Sequence, residues 1–165
     1  MHNMLMNITV HGANMLNYEI ADASRALAIA RSLNSYVAPF KVLGGYRLID
    51  NGVDPEATVQ IEANGRYIHE ASTGKGPVDA LAMVLKKALL PLFPEIDRVK
   101  LVDYRANIMD ARRGTSTDVE VTIIFTDGER VWKVNSISEN INAASFQVLM
   151  DGFEYAILRA AMTEI

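Results

Sequence analysis

The chain of 165 residues has no cysteine. Disulfides, thiolate nucleophiles and cysteine-based metal sites are therefore excluded. Histidine is scarce: His2, His11 and His69 form neither an H-x-H nor an H-E-x-x-H pair, so no metal seat is expected. The serine-nucleophile signature G-x-S-x-G is missing. No apolar run reaches the roughly 18 residues of a membrane helix; the longest, Val78 to Phe93, is cut by Lys86, Lys87 and Pro91. Positive charge is also in deficit. Sixteen Lys+Arg against twenty Asp+Glu give a formal net charge of -4 and a pI near 5.4, which argues against a general nucleic-acid binder. The Met-rich start, Met1 to Met6, lacks the basic region and apolar core of a signal peptide, and the expected location is the cytosol. What is present is an ordinary apolar fraction, 50%, with mean hydropathy +0.08. That composition and length suit one globular domain, or one domain plus a helical arm.

Residues 1–17 read as an unassigned lead-in: a short strand, a linker or a boundary scar. Ile20, Ala23, Leu27, Ala30 and Leu33 follow three- and four-residue steps, predicting a linker helix from Tyr18 to about Leu33 within a linker region 18–38. The remainder, 39–165, holds two similar halves, about 40–93 and 99–160. The first runs through an apolar strand (Phe40–Ile49), an alternating strand (Thr58–Ala63), a return strand (Arg66–Ala71) and a helix (Pro77 to about Leu90). The second repeats that order over Val99–Met109, the alternating Val119 to Phe125, Glu129–Val134 and a helix from about Ile141 to Ala160. A polar loop spans 111–117. Asn64-Gly65 and Asp127-Gly128 read as type I′ hairpin turns. Gly65 and Gly128 are 63 positions apart, and at that offset Ile68 meets Val131 and Val78 meets Ile141. The expected fold is therefore α+β, a tandem duplication of a strand–hairpin–helix (βββα) unit with an N-terminal linker helix.

Candidate chemistry is sparse. Gly74-Lys75-Gly76-Pro77 is no phosphate loop, because Lys75 is not followed by Ser or Thr. It does open a helix with proline at the first position, leaving the N–H groups of Val78, Asp79 and Ala80 as expected free donors at the positive end of the dipole. Taken alone, a helix start facing water is the favoured reading. Ser138-Glu139-Asn140 opens the second helix in the equivalent place, with Ser138 or Asn140 as cap. Two such openings related by a pseudo-twofold could flank one small ligand. Leu101, Tyr104 and Ile108 are apolar strand residues with core packing as the default; 101 and 104 differ in parity, so sharing a face requires a bulge or a strand end. Arg105, Arg112 and Arg113 form a small basic cluster, and Trp132 and Tyr67 are aromatics that could stack on bases. A solvated loop and ordinary strand packing are the plainer readings.

Together, GKGPVDALAMVLKKALLPLFPEIDRVKLVDYRANIMD and VNSISENINAASFQVLMDGFEYAIL resemble the C-terminal regulatory domain of the 2-isopropylmalate synthase family. The LVDY and SEN-I-x-AS segments are most similar to the citramalate synthase branch. The likeness covers about Phe40 to Leu158, and YEIADAS at Tyr18–Ser24 resembles the preceding linker. The resemblance implies a homodimer with a branched-chain amino acid, isoleucine or leucine, bound between the repeats near the dimer interface. It implies an effector pocket at Lys75, Gly76, Pro77, Val78 and Asp79, at Leu101, Tyr104 and Ile108, and at Ser138, Glu139, Asn140 and Ile141. Lys75, where an uncharged residue is common, and Glu139, where some members carry proline, depart from the pattern. The family's catalytic part is a metal-dependent TIM barrel, whose H-x-H pair is missing from this sequence.

The expected function is an amino-acid-sensing regulatory domain for feedback inhibition. The chain itself would be non-catalytic, with no cofactor, no nucleic acid and no membrane, and its partners would be a branched-chain amino acid, a second copy and a barrel in the same or a separate chain. Two alternatives stand beside it: a dimerisation module without an effector, and an RNA-binding module using Arg105, Arg112, Arg113 and Trp132.

Overall fold

The computed structural model describes residues 5–10, 13–109 and 117–163. In chain order its elements are β1 (Leu5–Val10), β2 (Ala13–Asp22), α1 (Ala23–Arg31), β3 (Lys41–Ile49), β4 (Glu56–Ala63), β5 (Arg66–Thr73) and α2 (Pro77–Leu89). A short 3-10 helix (Pro94–Arg98) leads to β6 (Lys100–Ile108), β7 (Val119–Thr126), β8 (Val131–Ser138) and α3 (Ile141–Thr163). The repeated β-β-β-α order is that of an α+β tandem duplication. β3-β4-β5 form one antiparallel sheet. The second sheet has the order β1-β2-β8-β7-β6, antiparallel except where Ile20–Asp22 run parallel to Val131–Lys133.

Alternation builds the first sheet's inner face. Ala57, Val59, Ile61 and Ala63 are buried while the residues between them are not. Asn64 and Gly65 both take positive φ, 52° and 73°, as a type I′ turn demands. The second hairpin departs from expectation. Among the described residues Asn64 is the only non-glycine with positive φ, so Asp127-Gly128 is not type I′. Asp127 instead folds an Asx turn, its Oδ1 accepting from the N–H groups of Glu129 (2.9 Å) and Arg130 (2.7 Å).

α2 covers the first sheet with Ala80, Leu81, Val84, Leu85, Ala88 and Leu89, all buried. α3 packs on β7 and β8 and against α2, and the buried residues of both repeats merge into one core. α3 is buried on nearly all sides over 144–157, so its sequence shows little amphipathic stripe. Gly152 on α3 lies against the Phe125 ring, where a Cβ would come within 2.2 Å of a ring carbon.

The N-terminal region differs from the sequence expectation. The helix covers only Ala23–Arg31; Tyr18–Asp22 belongs to a strand, and residues 5–10 and 13–22 form a hairpin, which takes up the strand option for the lead-in. Two causes fix the later helix start. Ile20–Asp22 are held by β8, and Asp22 Oδ1 accepts the Arg25 N–H at 3.1 Å, which makes Asp22 the N-cap. Leu33, expected on the buried stripe, is 58% exposed beyond the helix end. α1 is nevertheless fixed to the domain. Ser24 Oγ donates to the Asn135 carbonyl and accepts its N–H, and Arg31 reaches both Asp151 and Glu154 on α3.

Candidate functional site

The loop before α2 is held by its own contacts. Gly74 donates its N–H to the Pro55 carbonyl at 3.0 Å and lies so close to the helix that a Cβ would come within 2.2 Å of the Ala80 nitrogen. The Asp79 carboxylate accepts the Lys75 N–H at 2.8 Å through Oδ2. The Ala80 N–H, expected to be free, donates to the Gly76 carbonyl at 2.9 Å, because it is the first helical donor with a partner one turn back. Within the opening turn, the N–H groups of Val78 and Asp79 remain outside the helical ladder.

On β6, a bulge resolves the parity conflict. Leu101 pairs with Phe125 and Asp103 with Ile124, so Val102 is the extra residue. Tyr104 then lies opposite Ile123 and Ile108 opposite Val119. Leu101, Tyr104 and Ile108 therefore share one face, the face of the buried Ile123 and Phe125.

These stretches form an open groove of about 460 Å³ between α2 and β6. Val78, Asp79, Ala82, Met83 and Lys86 line its helical side, Leu101 and Tyr104 its strand side, and Phe153 of α3 also contributes. Four of the expected residues, Val78, Asp79, Leu101 and Tyr104, thus meet in one cavity, with Lys75-Gly76-Pro77 leading into its helical wall. Ala82, Met83 and Lys86 were not anticipated. They follow from Val78 and Asp79 by helical steps of three and four, which put them on the same face. Phe153 has no comparable sequence signal. Lys86 fixes the far end of the groove: its Nζ donates to the carbonyls of Asp97 (3.1 Å) and Val99 (3.0 Å), tying α2 to the start of β6. Burial lowers its pKa, an effect reinforced by Lys100 and opposed by Asp97.

The remaining expected residues form a second cluster. Ile108 pairs with Val119, which pairs in turn with Ser138, so Ile108, Ser138 and the start of α3 lie at the same end of the second sheet. That end is roughly 20 Å along β6 from Leu101. The α3 opening is also self-satisfied. Asn140 Oδ1 accepts the N–H groups of Asn142 (2.9 Å) and Ala143 (3.1 Å), the donors an incoming carboxylate would need. The two helix openings therefore differ chemically, and Ser138, Glu139, Asn140 and Ile141 do not line the α2–β6 groove. One bond joins the clusters: Tyr104 Oη and Ser145 Oγ are 2.9 Å apart, and Ser145 lies one turn after Ile141.

Of the aromatic and basic candidates, Tyr67 is exposed and Trp132 is not. Trp132 is 1% exposed, its indole N–H donating to the Gly152 carbonyl at 3.1 Å, and cannot stack on a base. Arg105 pairs with Asp103 at 2.8 Å, while Arg112 and Arg113 lie outside the described residues. Among the described residues no group of three or more His, Asp or Glu could hold a metal, and no helix is long and apolar enough to cross a membrane.

Two strand–hairpin–helix repeats sharing one core define a duplicated α+β module. The chain belongs to the LeuA allosteric (dimerisation) domain family, whose profile matches residues 19–157. Its similarity runs to (R)-citramalate synthases. It is 36% identical over 153 residues to that of Geobacter sulfurreducens, covering 89% of this chain. The Aquifex aeolicus enzyme is 36% identical over 148 residues and the Streptomyces coelicolor enzyme 35% over 150, covering 87% and 88% of the chain. The chain spans only 28 to 29% of the length of these three relatives, matching their C-terminal region.

Proposed function

We propose that this chain is the amino-acid-sensing part of a citramalate or 2-isopropylmalate synthase, binding isoleucine or leucine in the α2–β6 groove to inhibit a catalytic barrel carried on the same or a separate chain. The observation that carries this reading is the joining of an apolar hollow to the α2 opening. The free N–H groups of Val78 and Asp79 suit a carboxylate at the positive end of the dipole. The Asp79 Oδ1, not used by the Lys75 N–H, suits the neighbouring ammonium. An aliphatic side chain would then run along Ala82, Met83, Leu101 and Phe153. Burying four carbons there contributes about 2–3 kcal/mol. Shape alone would separate isoleucine from leucine by about 1–3 kcal/mol. The chain by itself is non-catalytic in this reading, and a second copy of it closes the groove.

Calorimetry with isoleucine, leucine and valine tests the reading. Saturable heat with one of the first two, abolished in Leu101→Asp, is expected. No heat and no thermal shift with any of them at millimolar concentration overturns it. The self-capped start of α3 and the departures at Lys75 and Glu139 favour a second reading, a dimerisation module without an effector. It predicts a dimer whose melting ignores all three amino acids.

A further inference from the structure

The opposite face of the first sheet carries a separate hollow. α2 covers only the side bearing Ala57, Val59, Ile61 and Ala63. On the other side, Arg47 of β3 sits opposite Thr58, and His69 of β5 sits opposite Gln60. Thr58 and Gln60 are two apart on β4, so all four side chains share that outer face. Between them β3 breaks its ladder. Val42 pairs with Ile61 and Tyr46 with Val59, so Leu43, Gly44 and Gly45 face the single residue Gln60.

Gly44 and Gly45 take φ of +70° and +72°, and a Cβ on either would meet nothing within 4 Å. Lack of room therefore does not require glycine here. The left-handed backbone does, twice in succession. Three residues of β3 thus stand against one of β4. The bulge interrupts the ladder there, and its two successive left-handed residues curve the main chain in the manner of the concavities that bind anions.

The resulting cavity of about 320 Å³ is lined by Gly44, Gly45, Arg47, Thr58, Gln60 and His69, with Leu43 and Val59 beneath. Each of its polar side chains can donate a hydrogen bond, and no carboxylate lines it. Among the described residues Arg47 and His69 make no ion pair. The acids on the same face of β4 lie beyond the hollow at either end: Glu62 opposite Lys41, Glu56 opposite Ile49. In a chain of net charge -4, a hollow that holds a guanidinium outside any ion pair, several further donors and no carboxylate favours negative charge.

We propose that this bulge pocket binds a phosphate-type oxyanion, free or as the ester of a small metabolite, on the face of the sheet away from the α2–β6 groove. Amide chemical-shift titrations of the whole chain test it, using inorganic phosphate and glycerol 3-phosphate, with sodium chloride at equal ionic strength as control. Saturable shifts centred on Gly44, Gly45 and Arg47 are expected with either phosphate. Tighter binding of the ester identifies a metabolite as the source, and equal or tighter binding of inorganic phosphate identifies the free ion. Arg47→Met should weaken binding by roughly tenfold through loss of the bidentate donor, while Lys41→Met, which removes a charge outside the lining, should leave it unchanged. Three results overturn the proposal: shifts no larger than those of chloride, non-saturating shifts spread over the surface, or an Arg47→Met variant that binds as well as the parent. Because the titration monitors a face remote from the groove, its outcome is independent of whether any amino acid binds there.

Discussion

At the scale of single residues, the costliest arrangement is the pair of acids on α3. Asp151 and Glu154 are 8% and 5% exposed, one turn apart on a helix that is otherwise mostly apolar. Arg31 of α1 neutralises both, and Gln147 donates to Asp151 at 3.0 Å. Burial alone would lower the Arg31 pKa, but its hydrogen bonds to the two carboxylates and their charges outweigh that and raise it. Arg31→Met should leave two like charges facing a low-dielectric wall. Because the arginine side chain is itself 42% exposed, water repays part of the loss. Urea denaturation should then show a loss of about 2 kcal/mol, below the 3–5 kcal/mol of a fully buried pair. The same cluster acts on Tyr36, whose phenol is pushed up to about 12 by burial, with the Glu154 carboxylate adding to it. A raised folded-state pKa means that the folded protein holds this proton more tightly than the unfolded chain does. The associated stability is complete below the ordinary value of 10 and is lost as pH rises toward 12. Melting followed from pH 10 to 12 should fall for the parent, and Tyr36→Phe should remove that component of the fall.

At the scale of elements, the two helix openings that look equivalent in sequence behave differently, and one residue makes the difference. α2 begins with Gly76, which has no side chain to cap with, so its first donors stay available. α3 begins after Asn140, whose side chain takes two of them. Asn140→Ala should cost about 1 kcal/mol in equilibrium unfolding, and Gly76→Ser much less, since a glycine cap is nearly as good. What was legible in the sequence follows the same division. Period-two alternation in Val59–Ala63, the Asn64-Gly65 turn and the proline start of α2 are local rules, and the structure obeys them. The strand over Tyr18–Asp22 was not legible, because a non-local partner, β8, overrides a helical spacing of apolar residues. The Asp127-Gly128 turn departs from type I′ because Asp-Gly serves more than one backbone path. The shared face of Leu101 and Tyr104 could be posed from parity as a choice. The bulge at Val102, a tertiary accommodation, decided it. The Arg31 clasp and Phe153 in the groove join residues far apart in the chain, and no pattern in one sequence announces them.

At the scale of the whole molecule, the α2–β6 groove is open, and apolar side chains stand along its rim and beyond it. Met83 is 48% exposed, Leu101 38%, Tyr104 37%, Ile141 43% and Ile108 69%. Scattered apolar residues need no explanation, but these follow one face of β6 and the adjoining flanks of α2 and α3. The separation of the Val78–Leu101 and Ile108–Ile141 clusters within one chain gives that rim a consequence. If a second copy docks there, it can bring its own α3 start against the first copy's groove, so that residues distant in one chain meet across the twofold. A ligand enclosed in that way is bound by the dimer more tightly than by the monomer. Linkage then requires that it strengthen association by the same factor by which association strengthens its binding. Light scattering across a dilution series, with and without saturating isoleucine or leucine, reads this directly. The expected outcome is a dimer whose dissociation moves to lower protein concentration when the amino acid is present, with Ile108→Asp weakening association and lowering amino-acid affinity together. A dilution curve that ignores a bound amino acid would mean that the groove of one chain is sufficient. The Ile108–Ile141 cluster would then serve packing between copies and not the ligand.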